Sequence, residues 1–132
     1  MRFRSGVSSG IKQPEIETNG GLIYVRSNYA SHIEKDEGGA ERVVWTYDEY
    51  VLTANEYNDV RVGRFIGEWS DALRSVQRES LYEQADRMLM KYSSDVQDSA
   101  KRQAWITYKA GVRATQNAPG YPQTVNYPAV PE

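Results

Sequence analysis

The sequence has no cysteine and one histidine. The first absence excludes disulfide cross-links and thiolate metal sites, and the second leaves His32 without the partner that an H-x-x-x-H zinc pair needs. No apolar run approaches the roughly 18 residues that cross a bilayer, so no membrane partner is expected. Met1-Arg-Phe-Arg has no hydrophobic stretch behind it to act as a signal peptide, which leads to the expectation of a cytoplasmic protein. Charge is nearly balanced, with 16 Lys and Arg against 18 Asp and Glu, for a net charge of −2. That balance argues against an electrostatic grip on nucleic acid. Motifs of catalysis are missing too. Ser5, Ser8 and Ser9 flank glycines but form no G-x-S-x-G elbow, and no G-K-S/T follows Gly6, Gly10, Gly20 or Gly21 to make a phosphate loop. No catalytic residue, metal site or cofactor is expected, and the protein is not read as an enzyme.

Tyrosine is plentiful, at 10 copies against 2 phenylalanines. Its ring buries area while its hydroxyl stays polar, which suits contact surfaces. The 132 residues amount to one domain, or a small domain with an appendage. Residues 1–52 read as a small β domain. Asn19-Gly20 lies between alternating runs and predicts a hairpin, because N-G accommodates the positive φ of a tight turn. Leu22, Tyr24 and Arg26 fall on one face of the following strand and Ile23 and Val25 on the other; the core is assigned to Ile23 and Val25, paired with Ile16. A polar turn at 35–41 precedes a further strand with Val43, Val44, Trp45, Tyr47, Tyr50 and Val51, and 1–7 is a candidate additional strand.

Residues 53–116 read as helical. Thr53 with Glu56 forms a capping box. From there Tyr57, Val62, Phe65, Ile66, Trp69, Leu73 and Val76 lie near a three-four spacing, which predicts a long amphipathic helix. Its stripe suits packing on the sheet or, alternatively, homo-oligomerisation through the 57–76 helix. Gly63 and Gly67 within it receive no function. Ser80 with Glu83 predicts a second helix start, and Asp95 or Asp98 a third.

The last stretch begins as a helix and ends in a proline-punctuated tail, 117–132. Trp105, Tyr108 and Val112 form an apolar stripe edged by Lys109 and Arg113. Asn117 and Pro119-Gly120 stop the helix. Each of Tyr121-Pro122, Tyr127-Pro128 and Val130-Pro131 sets an aromatic or apolar residue before a proline, which favours extended backbone.

The pattern Trp105-x-x-Tyr108-Lys109-x-x-Val112-Arg113, then Pro119-Gly120-Tyr121-Pro122, then Val125-x-Tyr127-Pro128-x-x-Pro131 resembles the C-terminal segment of phage tail assembly chaperones, small proteins that help build tail fibres. The run from Ala85 to Trp105 looks like the upstream part of the same family, and the resemblance covers roughly Ser80 to Glu132. Tyr127 stands where many relatives carry a tryptophan, and no aromatic follows Asp95. The resemblance implies a bacteriophage tail protein that binds tail fibre or baseplate chains in the host cytoplasm and assists their assembly. The alternative is a permanent virion component, a structural subunit of the fibre or baseplate in the virion tail. Trp105, Tyr108, Lys109, Val112, Arg113, Tyr121, Pro122, Val125, Tyr127 and Pro128 are the candidate partner-binding residues. On that reading, Trp105→Ala with Tyr108→Ala should abolish binding and leave the helical signal largely intact. The fold expected is α+β: a small N-terminal antiparallel sheet, about three helices and an extended proline-rich tail.

Overall fold

The computed structural model describes residues 1–132. The chain is α+β, a four-stranded antiparallel sheet followed by helices and a tail without regular structure. It divides into two compact units, Met1–Asp59 and Val60–Glu132.

In the first unit, β1 (Arg2–Ser9), β2 (Ile16–Asn19), β3 (Leu22–Lys35) and β4 (Glu41–Thr53) lie in the order β1-β4-β3-β2. Asn19 pairs with Leu22, so the two turn residues are Gly20 and Gly21, with φ of 61° and 77°. The hairpin thus turns one residue later than Asn19-Gly20 suggests, because both glycines accept positive φ without penalty. At the other end of β3, Asp36 N–H donates to the Ala40 carbonyl and Gly39 N–H to that of Asp36, each at 3.0 Å, around Gly39 at φ 79°. This is the three-residue hairpin loop that closes with a glycine bulge.

Ile16 pairs with Val25, but of the three residues assigned to the core only Val25 is buried, Ile23 being half-buried and Ile16 43% exposed. The opposite face is covered as well. Arg26 and Glu49, directly paired across β3 and β4, are 8% and 1% exposed. Arg26 Nε donates to Glu49 Oε2 at 2.7 Å, Nη2 to Glu17 Oε1 at 3.0 Å and Nη1 to the Pro14 carbonyl at 3.1 Å. Arg4 reaches the second Glu49 oxygen. Burial works against the Arg26 charge, yet the bonds and charges of Glu49 and Glu17 outweigh it and raise its pKa. The guanidinium also lies over the rings of Tyr24 and Tyr47. The assignment of the core to one face is therefore corrected: charge neutralised within a network is buried on the other.

Both neighbours of β4 carry one extra residue at the same level, β1 between Arg4 and Val7 and β3 between Ser27 and Ala30. Asp48 holds both bulges. Its Oδ1 accepts from Ser5 Oγ at 3.0 Å and Gly6 N–H at 3.2 Å, its Oδ2 from Asn28 Nδ2 at 2.8 Å.

Helix α1 (Ala54–Arg61) starts at the predicted capping box, with Thr53 N–H donating to Glu56 Oε1 at 2.9 Å and Glu56 N–H to Thr53 Oγ1 at 3.2 Å. The long helix expected over 57–76 does not form. Residues 64–70 lie outside regular structure, and α2 (Asp71–Lys91) begins afresh with Ser70 accepting from Leu73 N–H. Gly63, at φ 77°, closes the last turn of α1 through a bond to the Val60 carbonyl. With the stripe split, no 57–76 helix exists through which to oligomerise. Ser80 starts no new helix either, since it lies inside the 21 residues of α2. Asp95 caps a 3₁₀ turn, Val96–Asp98, by accepting from Gln97 N–H, and leads into α3 (Ser99–Ala114). A second 3₁₀ turn, Thr115–Asn117, precedes the tail.

Candidate functional site

The residues that carry the family resemblance converge within the second unit. Trp105, Tyr108 and Val112 are 4%, 3% and 0% exposed and, with Ala85 of α2, form a core cluster. Trp105 and Tyr108 meet edge to face at 5.5 Å. Leu81, Tyr82, Met88, Leu89 and Tyr92 close the cluster from α2 and its C-terminal end, and Tyr127 closes it from the tail. These residues make the stripe of α3 an internal seam. The expectation that Trp105→Ala with Tyr108→Ala would spare the helical signal is overturned, because both side chains hold α3 to α2.

The tail is bound to its own helices. Arg74 of α2, 7% exposed, donates from Nε to the Pro122 carbonyl at 2.6 Å and from Nη2 to the Gln123 carbonyl at 2.9 Å. Its Nη1 meets Gln77 Oε1 at 2.9 Å, and its plate lies 3.9 Å from the Trp69 ring centre. Burial lowers the Arg74 pKa. Gln123 in turn accepts from Trp69 N–H at 3.2 Å and donates to the Trp69 carbonyl at 2.7 Å. The Tyr121 hydroxyl sits between Asp71 and Arg78. Burial and the bond to Asp71 push its pKa up to about 12, against the opposing pull of Arg78. The Tyr127 hydroxyl donates to Gln77 Oε1 at 2.8 Å, and its pKa is raised by burial. Gly111 matters by its smallness: a Cβ there would stand 3.0 Å from Pro128 Cγ.

The remaining candidates are placed as follows. Lys109 Nζ pairs with Asp86 Oδ1 at 2.7 Å and lies over the Tyr82 ring. Arg113 is exposed in the last turn of α3, and Val125 is half-buried. Between α2 and the tail an open groove of about 440 Å³ runs over Tyr108, Tyr127 and Pro128. Half-exposed Val62 and Val130 stand at its sides, with Leu81 also lining it. Arg61 and Arg87 add cationic edges, Arg61 bonding Glu83 at 2.6 Å and lowering that carboxyl's pKa.

Sequence reasoning missed Arg74, Gln77, Gln123 and the groove. A hydrophobic period marks α2, but nothing in it distinguishes an arginine turned to solvent from one turned to tail carbonyls. No group of three or more His, Asp or Glu is placed to share a metal ion. No helix is long and apolar enough to cross a membrane. The geometry offers a groove of mixed character, in which Val62, Leu81, Tyr108, Tyr127, Pro128 and Val130 are interspersed with Gln77, Ser80, Gln84 and two arginines, built by the end of α1, α2, α3 and the tail together. Comparison with protein-family models, curated proteins and solved structures finds no match for this chain.

Proposed function

We propose that the protein is a bacteriophage tail-associated binding protein that engages tail fibre chains, or a similar adhesin, and assists their assembly. The observation that carries this reading is the groove beside the docked tail, because the motif residues Tyr108, Tyr127 and Pro128 line it. The resemblance of this segment to tail assembly chaperones supports the same reading. Fibre chains expose strand edges and apolar surface before they associate, and a small protein covering such surface suppresses wrong pairing. In this scheme Trp105 and Val112 support the surface from within. Val62, Leu81 and Val130 receive apolar side chains of the fibre, and the edge arginines meet its acidic groups.

The test is co-purification of the chain with a co-expressed fibre protein from the same phage. Val62 and Val130 are 52% and 51% exposed, so Val62→Glu with Val130→Glu should leave the melting curve intact. Loss of two buried aliphatic contacts should weaken binding by at least about a hundredfold. Unchanged co-purification would show that the groove is not the binding surface. Mass spectrometry of washed particles beside lysate separates an assembly factor, absent from particles, from a permanent fibre or baseplate subunit at fixed copy number.

A further inference from the structure

β3 is 14 residues long, but its outer neighbour β2 covers only Leu22–Val25, with one more bond from Arg26 N–H to the Glu15 carbonyl. Beyond the bulge, Ala30–Lys35 pairs with β4 on one side and with nothing on the other. Every residue from 30 to 43 is exposed. Antiparallel strands alternate inward and outward backbone groups. Asp36 bonds inward to Ala40, so Glu34 and His32 also bond inward, and Lys35, Ile33 and Ser31 turn their N–H and carbonyl groups to the open edge. Edge strands are usually blunted by proline, charge or a covering element. The open stretch Ala30–Lys35 contains no proline, and its charges, Glu34 and Lys35, are confined to one end.

We propose that two copies of this chain pair antiparallel along the outer edge of β3, about a twofold axis through Ile33. The contact is isologous: Ile33 exchanges both backbone bonds with its twin, and Ser31 does so with Lys35 of the second copy. On one face, Ile33 and its cross-strand partner Val43, 64% and 48% exposed, join their twins in one aliphatic patch. On the other, His32 stands opposite the second copy's Glu34, the same donor and acceptor that meet at 2.9 Å within one chain. Charge selects this register. Centring on Lys35 would set that lysine against its twin and Glu34 against Asp36. Centring on Ser31 would run Ile33 against Tyr29, where the bulge interrupts the edge. The edge shares no residue with the groove, and the proposal does not depend on the function proposed above.

Sedimentation of the full chain through a dilution series provides the test. The expected mass is twice the 15.0 kDa of one chain at high concentration, falling to 15.0 kDa on dilution. Ile33→Pro removes an outward N–H without touching the β3–β4 ladder, so its circular dichroism should match the parent. Its dissociation constant should rise at least about tenfold. Amide exchange of the parent supplies a second readout: Ser31, Ile33 and Lys35 should slow with concentration while His32 and Glu34 do not. A monomer at every concentration overturns the proposal and leaves the edge to a strand of another protein. A dimer that Ile33→Pro does not weaken overturns it too, as do Ser31, Ile33 and Lys35 amides indifferent to concentration.

Discussion

Arg74→Met tests whether one guanidinium holds the tail. Methionine keeps an unbranched apolar stem but donates nothing to the Pro122 and Gln123 carbonyls. A bond from a charged donor contributes about 1.5–3 kcal/mol. Losing two would cost about 3–6 kcal/mol if the carbonyls stayed dry. Gln123 is exposed and Pro122 half-buried, so water replaces the arginine as the tail lifts, and the lower limit applies. Relief of the buried charge, visible in the lowered pKa of Arg74, offsets part of that. The net expectation is about 2–3 kcal/mol, roughly thirty- to a hundred-and-fiftyfold more undocked tail. Amide exchange across 121–127 should accelerate accordingly, and Trp69 emission should change as its stacked cation disappears. Arg74→Lys, which keeps charge but lacks the fork that reaches two carbonyls, should fall between. Parent-like exchange and Trp69 emission in Arg74→Met would refute the reasoning and assign the tail's hold to Tyr121 and Tyr127.

Trp105→Ala should cost about 3–5 kcal/mol, lowering the melting temperature and weakening the helical circular dichroism; a parent-like melt would remove Trp105 from the core. Asp48 is held below the ordinary carboxyl range chiefly by the Asn28 bond, helped by Gly6 and Ser5. A depressed folded pKa means its contribution is present above the unfolded pKa and lost as pH falls through the folded one. Thermal melts should therefore show Asp48→Asn less stable than the parent near neutrality, with the gap closing below pH 3.8. A gap that persists in strong acid would deny the carboxylate this role.

The parts of the fold legible in the sequence are those specified within a few residues. The Thr53–Glu56 box, the polar turn before β4 and the helix stop at Asn117 depend on local chemistry. The failures come from distance. Tyr57 to Val76 keeps helical spacing through a segment that is not helical, because periodicity records apolar positions and overlooks what Gly63 and Ser70 impose. The Ser80–Glu83 pair has the same letters as a cap, but α2 has already been started by Ser70. Arg26 and Glu49 left a trace that alternation alone passed over: opposite charges at the centres of two apolar strands. The apolar stripe of α3 and the prolyl tail are legible as segments, but not their convergence on α2. Its cause, Arg74 bonding to backbone carbonyls 48 and 49 residues away, leaves no mark in side-chain pattern.

Glu49 has a consequence for how the sheet finds its alignment. Sliding β3 by two residues along β4 leaves every side chain on its original face, so hydrophobic patterning cannot distinguish that error from the native pairing. The buried carboxylate can. After such a slip it would lie opposite Tyr24 or, in the other direction, Asn28, keeping Arg4 but losing Arg26, whose buried guanidinium would in turn be parted from Glu49, at a cost of several kcal/mol. Because Arg4 approaches the same carboxylate from β1, one side chain checks two strand pairings at once, as a key checks two wards of a lock.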